Sequence, residues 1–87
     1  MIKIFEITEA DDATLDAVNR LLPQLSKSAK IINGSTLQKL TNSECTRLYV
    51  AKEGDTIFGM LSLVVFSIPT GTKAWIEDVV VDERARG

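Results

Sequence analysis

The sequence predicts an α+β fold of order β-α-α-β-β-β, in which two helices pack on an antiparallel sheet. Three observations lead there. Residues 11–26 carry apolar side chains at helical spacing, and a shorter helical pattern follows at 35–42. From Arg47 to Val81 the chain is three β-rich runs, broken only by Gly54-Asp55 and by Pro69-Thr70-Gly71-Thr72. Turns that short join neighbouring strands as hairpins, so these runs form an antiparallel meander.

The first strand is Ile2 to Thr8, where Ile2, Ile4 and Glu6 share one face and Lys3, Phe5 and Ile7 the other. Glu9-Ala10-Asp11-Asp12 breaks the alternation, and Asp11 suits an N-cap because its carboxylate accepts an orphan amide of the next turn. Leu15, Val18, Leu22 and Leu25, with Leu21 beside them, then form one apolar stripe, leaving Asp12, Asp16 and Arg20 toward water. Pro23 lacks an N–H and crowds the preceding turn, so a kink or tightening is expected there.

Ser26 to Gly34 is a loop or short helical turn, a surface connection with Ile31 or Ile32 as an apolar plug. Ser35-x-x-Gln38 is a capping-box pattern, and Leu37 with Leu40 predicts a short helix ending near Asn42. Arg47 to Glu53 is the second strand. Thr56 to Ile68 is a long third one, whose unbroken run from Met60 to Phe66 predicts burial on both faces. Gly59 marks a bulge or a close approach of another backbone. The last strand, Lys73 to Val81, is expected to bury Ile76 and Val79–Val81 while carrying the adjacent acids Glu77 and Asp78. Strict alternation puts those two acids on opposite faces. A polar segment then leads to Arg86-Gly87.

Composition narrows the function classes. The chain has 87 residues, 45% of them apolar, with mixed charges and a net charge of −2. That fits one small globular domain. No element carries a Lys/Arg cluster, so a nucleic acid, which demands neutralised phosphates, is not an expected partner. Histidine is absent and Cys45 is the sole cysteine. His-based triads are thereby excluded, an intramolecular disulfide is impossible, and zinc is disfavoured. Cys45 is expected to be a small, partly buried residue. The apolar run from Ile57 to Ile68 is too short to span a membrane as a helix. Met1-Ile2-Lys3 opens into a strand pattern without a signal-peptide layout, and the expected location is the cytoplasm.

The strand end Val79-Val80-Val81-Asp82, followed by Arg86-Gly87, resembles the central motif of the Gcn5-related N-acetyltransferases. That motif is a strand, then Gln/Arg-x-x-Gly-x-Gly/Ala, then a helix. Arg86 and Gly87 match its first two positions, and the later glycines fall outside residues 1–87. Ile76-Glu77-Asp78 is similar to the diamine acetyltransferase branch, in which a strand glutamate serves the acceptor amine. The resemblance covers the chain as the front half of such a domain, one partial domain over residues 1–87. It implies acetyl transfer from acetyl-CoA to a primary amine, either a small molecule or a peptide.

The resemblance also distributes roles. Val79, Val80 and Val81 would hold the pantetheine arm through their peptide groups, in the manner of an added strand. Arg86 and Gly87 would begin the pyrophosphate loop, where backbone amides and a helix N-terminus favour an anion. Glu77 would take a proton from the acceptor amine, and Asp78 would attract or orient the cationic acceptor. The competing structural reading pairs these acids with a neighbouring Arg or Lys, or leaves them facing water at a strand edge. Residues 1–87 alone are expected to transfer no acetyl group. With the last strand open on one side, they are expected to associate through that strand as a homo-oligomer. The alternative function is a non-catalytic α+β module that dimerises or binds a small metabolite.

Overall fold

A computed structural model describes residues 1–86. Its elements follow the predicted order: β1 (Ile2–Ile7), α1 (Asp12–Leu25), α2 (Gly34–Asn42), β2 (Thr46–Glu53), β3 (Thr56–Ile68), β4 (Gly71–Val81) and a 3₁₀ turn over Glu83–Ala85. The strands form one sheet in the order β1-β2-β3-β4, antiparallel throughout. Both hairpins have two-residue turns. Glu53 pairs with Thr56 across Gly54-Asp55, and Ile68 pairs with Gly71 across Pro69-Thr70. Gly54 takes φ +61°, a left-handed conformation that glycine adopts without Cβ strain.

Asp11 caps α1 as expected: the Thr14 amide donates to its Oδ1 at 2.8 Å. The helix stays α-helical past Pro23 and ends at Leu25. Its buried stripe is Thr14, Ala17, Val18 and Leu21, an i, i+3, i+4, i+7 set, while Leu15, Leu22 and Leu25 flank it half-buried. The stripe is therefore rotated from the expected one toward two small side chains that let the helix approach the sheet. The cap of α2 is Asn33 rather than Ser35. Asn33 has extended backbone and its Oδ1 accepts from the Thr36 amide at 2.9 Å, which leaves Ser35 inside the first turn.

Both helices feed one core. Leu21 and Leu37 are fully buried against Leu48, Val50, Ile57, Met60 and Val80 of the sheet. Asn19 ties down the connection between the helices, accepting from the Ile32 amide and donating to the Ile32 carbonyl. Ile32 is thus the partly buried plug, while Ile31 stays exposed.

Two bulges re-aim the long hairpin. Between Lys52↔Ile57 and Ala51↔Gly59, β3 carries the extra residue Phe58, which lets Ile57 and Met60 enter the same core. Between Met60↔Val80 and Ser62↔Glu77, β4 sets Asp78 and Val79 against Leu61 alone. Gly59 lies beside both irregularities and meets the expectation made for it. A Cβ there would stand 3.3 Å from the Val80 carbonyl oxygen.

Three burial expectations are corrected. β3 is only half-buried from Leu61 to Val65, because the helices cover one face of the sheet. In β4 only Val80 is buried; Ile76, Val79 and Val81 are exposed, since they face away from the helices on a strand paired on one side. Cys45 is exposed, not partly buried. Among the described residues no helix is long and apolar enough to cross a membrane.

Candidate functional site

The candidate site is built on the second half of β4. Val80 pairs with Met60 and anchors the strand in the core, which fixes its neighbours Val79 and Val81 on the outer face. The Asp82 amide donates to the Phe58 carbonyl at 2.7 Å, and this ladder bond makes Gly59↔Val81 a pair whose own peptide groups point away from each other. The N–H and C=O of Val81 therefore face the open edge of the sheet. Arg86 reaches back to that edge and donates from Nε to the Val81 carbonyl at 2.7 Å.

Val79, Val80, Val81 and Arg86 come together with Gln24 and Leu25 of α1 around an open cavity of about 510 Å³. Four of the five residues expected to meet the cofactor are thus on one wall. The fifth, Gly87, lies outside the described residues. An exposed peptide edge running to an exposed guanidinium fits an extended, hydrogen-bonding arm that ends in a phosphate.

β4 departs from strict alternation at Asp78, between Glu77 and Val80. Glu77 pairs in register with Ser62, and Val80 with Met60, so the bulge between them puts Glu77 and Val80 on the same, helix-bearing face although they are three residues apart. Glu77 lies beyond the cover of the helices and is exposed. Its Oε1 accepts from the Trp75 indole N–H on the same face. Asp78 occupies the first bulge position with φ +53°, a left-handed conformation uncommon for a residue with a Cβ and best tolerated by Asp and Asn. It is exposed and forms no ion pair among the described residues. The structure therefore brings Glu77 and Asp78 to the strand just before the cavity wall, not into the cavity.

Sequence reading missed Asp82. It is buried at 2% exposure, and its carboxylate accepts from the Arg84 amide and from Arg84 Nη2, both at 3.0 Å. Arg20 Nε also donates to it at 3.4 Å, while Arg20 Nη2 donates to the Ile57 carbonyl. Arg20 is exposed as expected, and its guanidinium is also a cross-link between α1, β3 and the turn after β4. The Arg84 hydrogen bonds, side chain first and backbone second, hold the Asp82 carboxyl far below the usual carboxylate range. The same pairing raises Arg84. Among the described residues no group of His, Cys, Asp or Glu is placed to hold a metal ion.

No family model matches the chain, and no curated protein matches it. Solved structures do. An aminoglycoside acetyltransferase from an uncultured soil metagenomic sample, solved with sisomicin, superposes on 98% of the chain with a TM-score of 0.80 and 26% identity. A GNAT family acetyltransferase of Staphylococcus aureus superposes on 98% with a TM-score of 0.81 and 18% identity. Glucosamine-6-phosphate N-acetyltransferase of Arabidopsis thaliana superposes on 100% with a TM-score of 0.77 and 23% identity. The chain spans 59%, 65% and 64% of the length of these three proteins. Its two helices and four-stranded antiparallel sheet are those of a partial domain of the Gcn5-related N-acetyltransferase fold.

Proposed function

We propose that residues 1–87 form the acceptor-side half of an enzyme that moves an acetyl group from acetyl-CoA to a primary amine. The observation that carries this reading is the open edge of β4 from Val79 to Val81, ending at the exposed cation Arg86. Acetyl-CoA supplies a thioester carbonyl that an amine attacks: a C–N bond forms, the C–S bond breaks, and CoA leaves as a thiolate that takes up a proton equivalent to the one the amine loses. The peptide groups of β4 align the pantetheine arm and so fix the acyl carbon relative to the strand. Arg86 exchanges the Val81 carbonyl for a phosphate oxygen, which releases that carbonyl to the incoming arm.

An amine is protonated at neutral pH and must lose a proton before it attacks. Glu77 takes that proton, directly or through one water, and Asp78 draws the cationic acceptor toward the bulge. The exposure of both acids suits this order of events, because a charged acceptor keeps its hydration until it docks.

The test is thiol release from acetyl-CoA with a panel of amines, using the product of the complete reading frame. Glu77→Gln lowers kcat by about 10²-fold or more, in the range for general-base catalysis. Unchanged kcat removes Glu77 from the mechanism. Residues 1–87 expressed alone give no turnover; steady CoA release by that polypeptide contradicts the assignment of half a domain.

A second reading is a non-catalytic module that dimerises through β4. The exposure of Trp75, Ile76 and Val79 on a strand paired on one side favours it. Acetyl transfer by the complete product decides between the two.

A further inference from the structure

The turn that follows β4 is held from the far side of the molecule. Four groups converge there. The Arg20 guanidinium donates to the Asp82 carboxylate and to the Ile57 carbonyl. Gln24, one helical turn later on the same face of α1, presents its Oε1 to the Glu83 amide at 2.7 Å. Asp82 is locked to Arg84 by a side-chain pair and to Phe58 by its backbone amide. Amides of the 3₁₀ turn that would otherwise be orphaned are thereby bonded at Glu83 and Arg84.

Arg20 and Gln24 are separated from their partners by 62 and 59 residues. Local turn chemistry needs neither, since Asp82 and Arg84 already form the turn between themselves. What the two α1 side chains add is position. They peg the height of the turn against the helix, and the turn sets where Arg86 meets Val81. Gln24 also lines the cavity that Val79–Val81 and Arg86 share.

We infer that Arg20 and Gln24 are positioning residues: they latch the turn at Asp82–Ala85 onto α1 and so hold Arg86 in register with the β4 edge for a phosphate of the CoA arm. This rests on the proposed CoA site, and it goes beyond it by assigning anion-loop placement to a helix that contributes no residue to the loop. Arg20 acts through the turn alone, and Gln24 acts through the turn while its side chain also borders the cavity. A position error of about 1 Å at a preorganised site is costly.

The test has two arms. Amide hydrogen exchange on residues 1–87 reads the latch without any ligand. Gln24→Ala and Arg20→Met should speed exchange at Glu83 and Arg84 by at least tenfold, while the Leu21 and Val50 amides stay as protected as before. Arg20→Lys, which keeps the charge but not the planar fork that reaches Asp82 and Ile57 together, should retain part of the protection. Calorimetric titration of the complete reading-frame product with CoA reads the consequence. Gln24→Ala should weaken CoA binding by about fivefold or more, with KM for the acceptor amine unchanged.

Unchanged exchange at Glu83 and Arg84 overturns the latch itself. Faster exchange with unchanged CoA affinity overturns its role in placing Arg86. Failure of the wild-type product to bind CoA rejects the proposed function and the positioning role with it, while the exchange arm still reports separately whether the latch exists. Global loss of protection in Arg20→Met would mark a folding residue, and Gln24→Ala then decides the matter.

Discussion

Replacing Gly59 with alanine tests whether β4 is held as closely as the site requires. The added Cβ would stand 3.3 Å from the Val80 carbonyl oxygen and 3.6 Å from the Ala51 Cβ. The second distance is ordinary contact, but the first is short, and what it meets is the backbone of β4 instead of a bendable side chain. Two effects oppose each other. Alanine narrows the unfolded ensemble, which favours folding by about 0.4–1 kcal/mol. Crowding a packed position costs about 1–3 kcal/mol. Because Val80 is anchored in the core and the strand cannot retreat freely, crowding wins. The expected net loss is about 1 kcal/mol, or a fall in Tm of about 4–8 °C for a domain of this size. Urea unfolding followed by circular dichroism measures it, with the slope unchanged if only the native state is affected. A variant as stable as wild type would show slack between β3 and β4, and the claim that the edge at Val79–Val81 is preorganised would fall with it.

Asp82 should give the protein an acid-sensitive limb. Its carboxyl lies far below 3.8 in the folded state, so the unfolded chain binds protons more readily. The stability it confers is full above about pH 4 and drains away as pH falls toward the folded value. Asp82→Asn should flatten that limb in chemical-denaturation curves between about pH 2 and 5; an unaltered acid limb would assign it to other carboxylates. Asp11→Ala removes the acceptor of the Thr14 amide and should cost about 0.5–2 kcal/mol by urea unfolding, with Asp11→Asn nearly harmless. Residues 1–87 should sediment as a dimer or larger species through the open side of β4, and Trp75→Lys should shift them toward monomer; a wild-type monomer at high concentration contradicts this.

Local chemistry was readable where one residue decides the matter. Asp11 at the head of an apolar stripe, Gly54 in a two-residue turn and Gly59 in an apolar run each carry a signal that needs no partner. The α2 cap was misplaced because Asn33 and Ser35 are both good caps, and only backbone conformation separates them. The bulge in β4 was hidden for a related reason. Glu77 to Val81 alternates cleanly on paper, but the extra residue at Asp78 flips the parity between Glu77 and Val80. Asp82 gave no local sign of burial, since an aspartate after a strand usually faces water. Its distant partner Arg20 is visible only once the fold closes. The exposure of Ile76, Val79 and Val81 was hidden too, because hydrophobicity alone does not say on which side a strand lacks a neighbour.

The central claim is that the open edge of β4, where the peptide groups of Val81 face outward, is a berth for the CoA arm. The most direct measurement is a titration of CoA into the isotope-labelled product of the complete reading frame, following backbone amide resonances. Saturable shifts at Val79, Val81 and Arg86, with Phe5 and Leu48 unmoved, are the predicted result. Saturable CoA binding that leaves Val79 and Val81 undisturbed, or no binding at all, would contradict it.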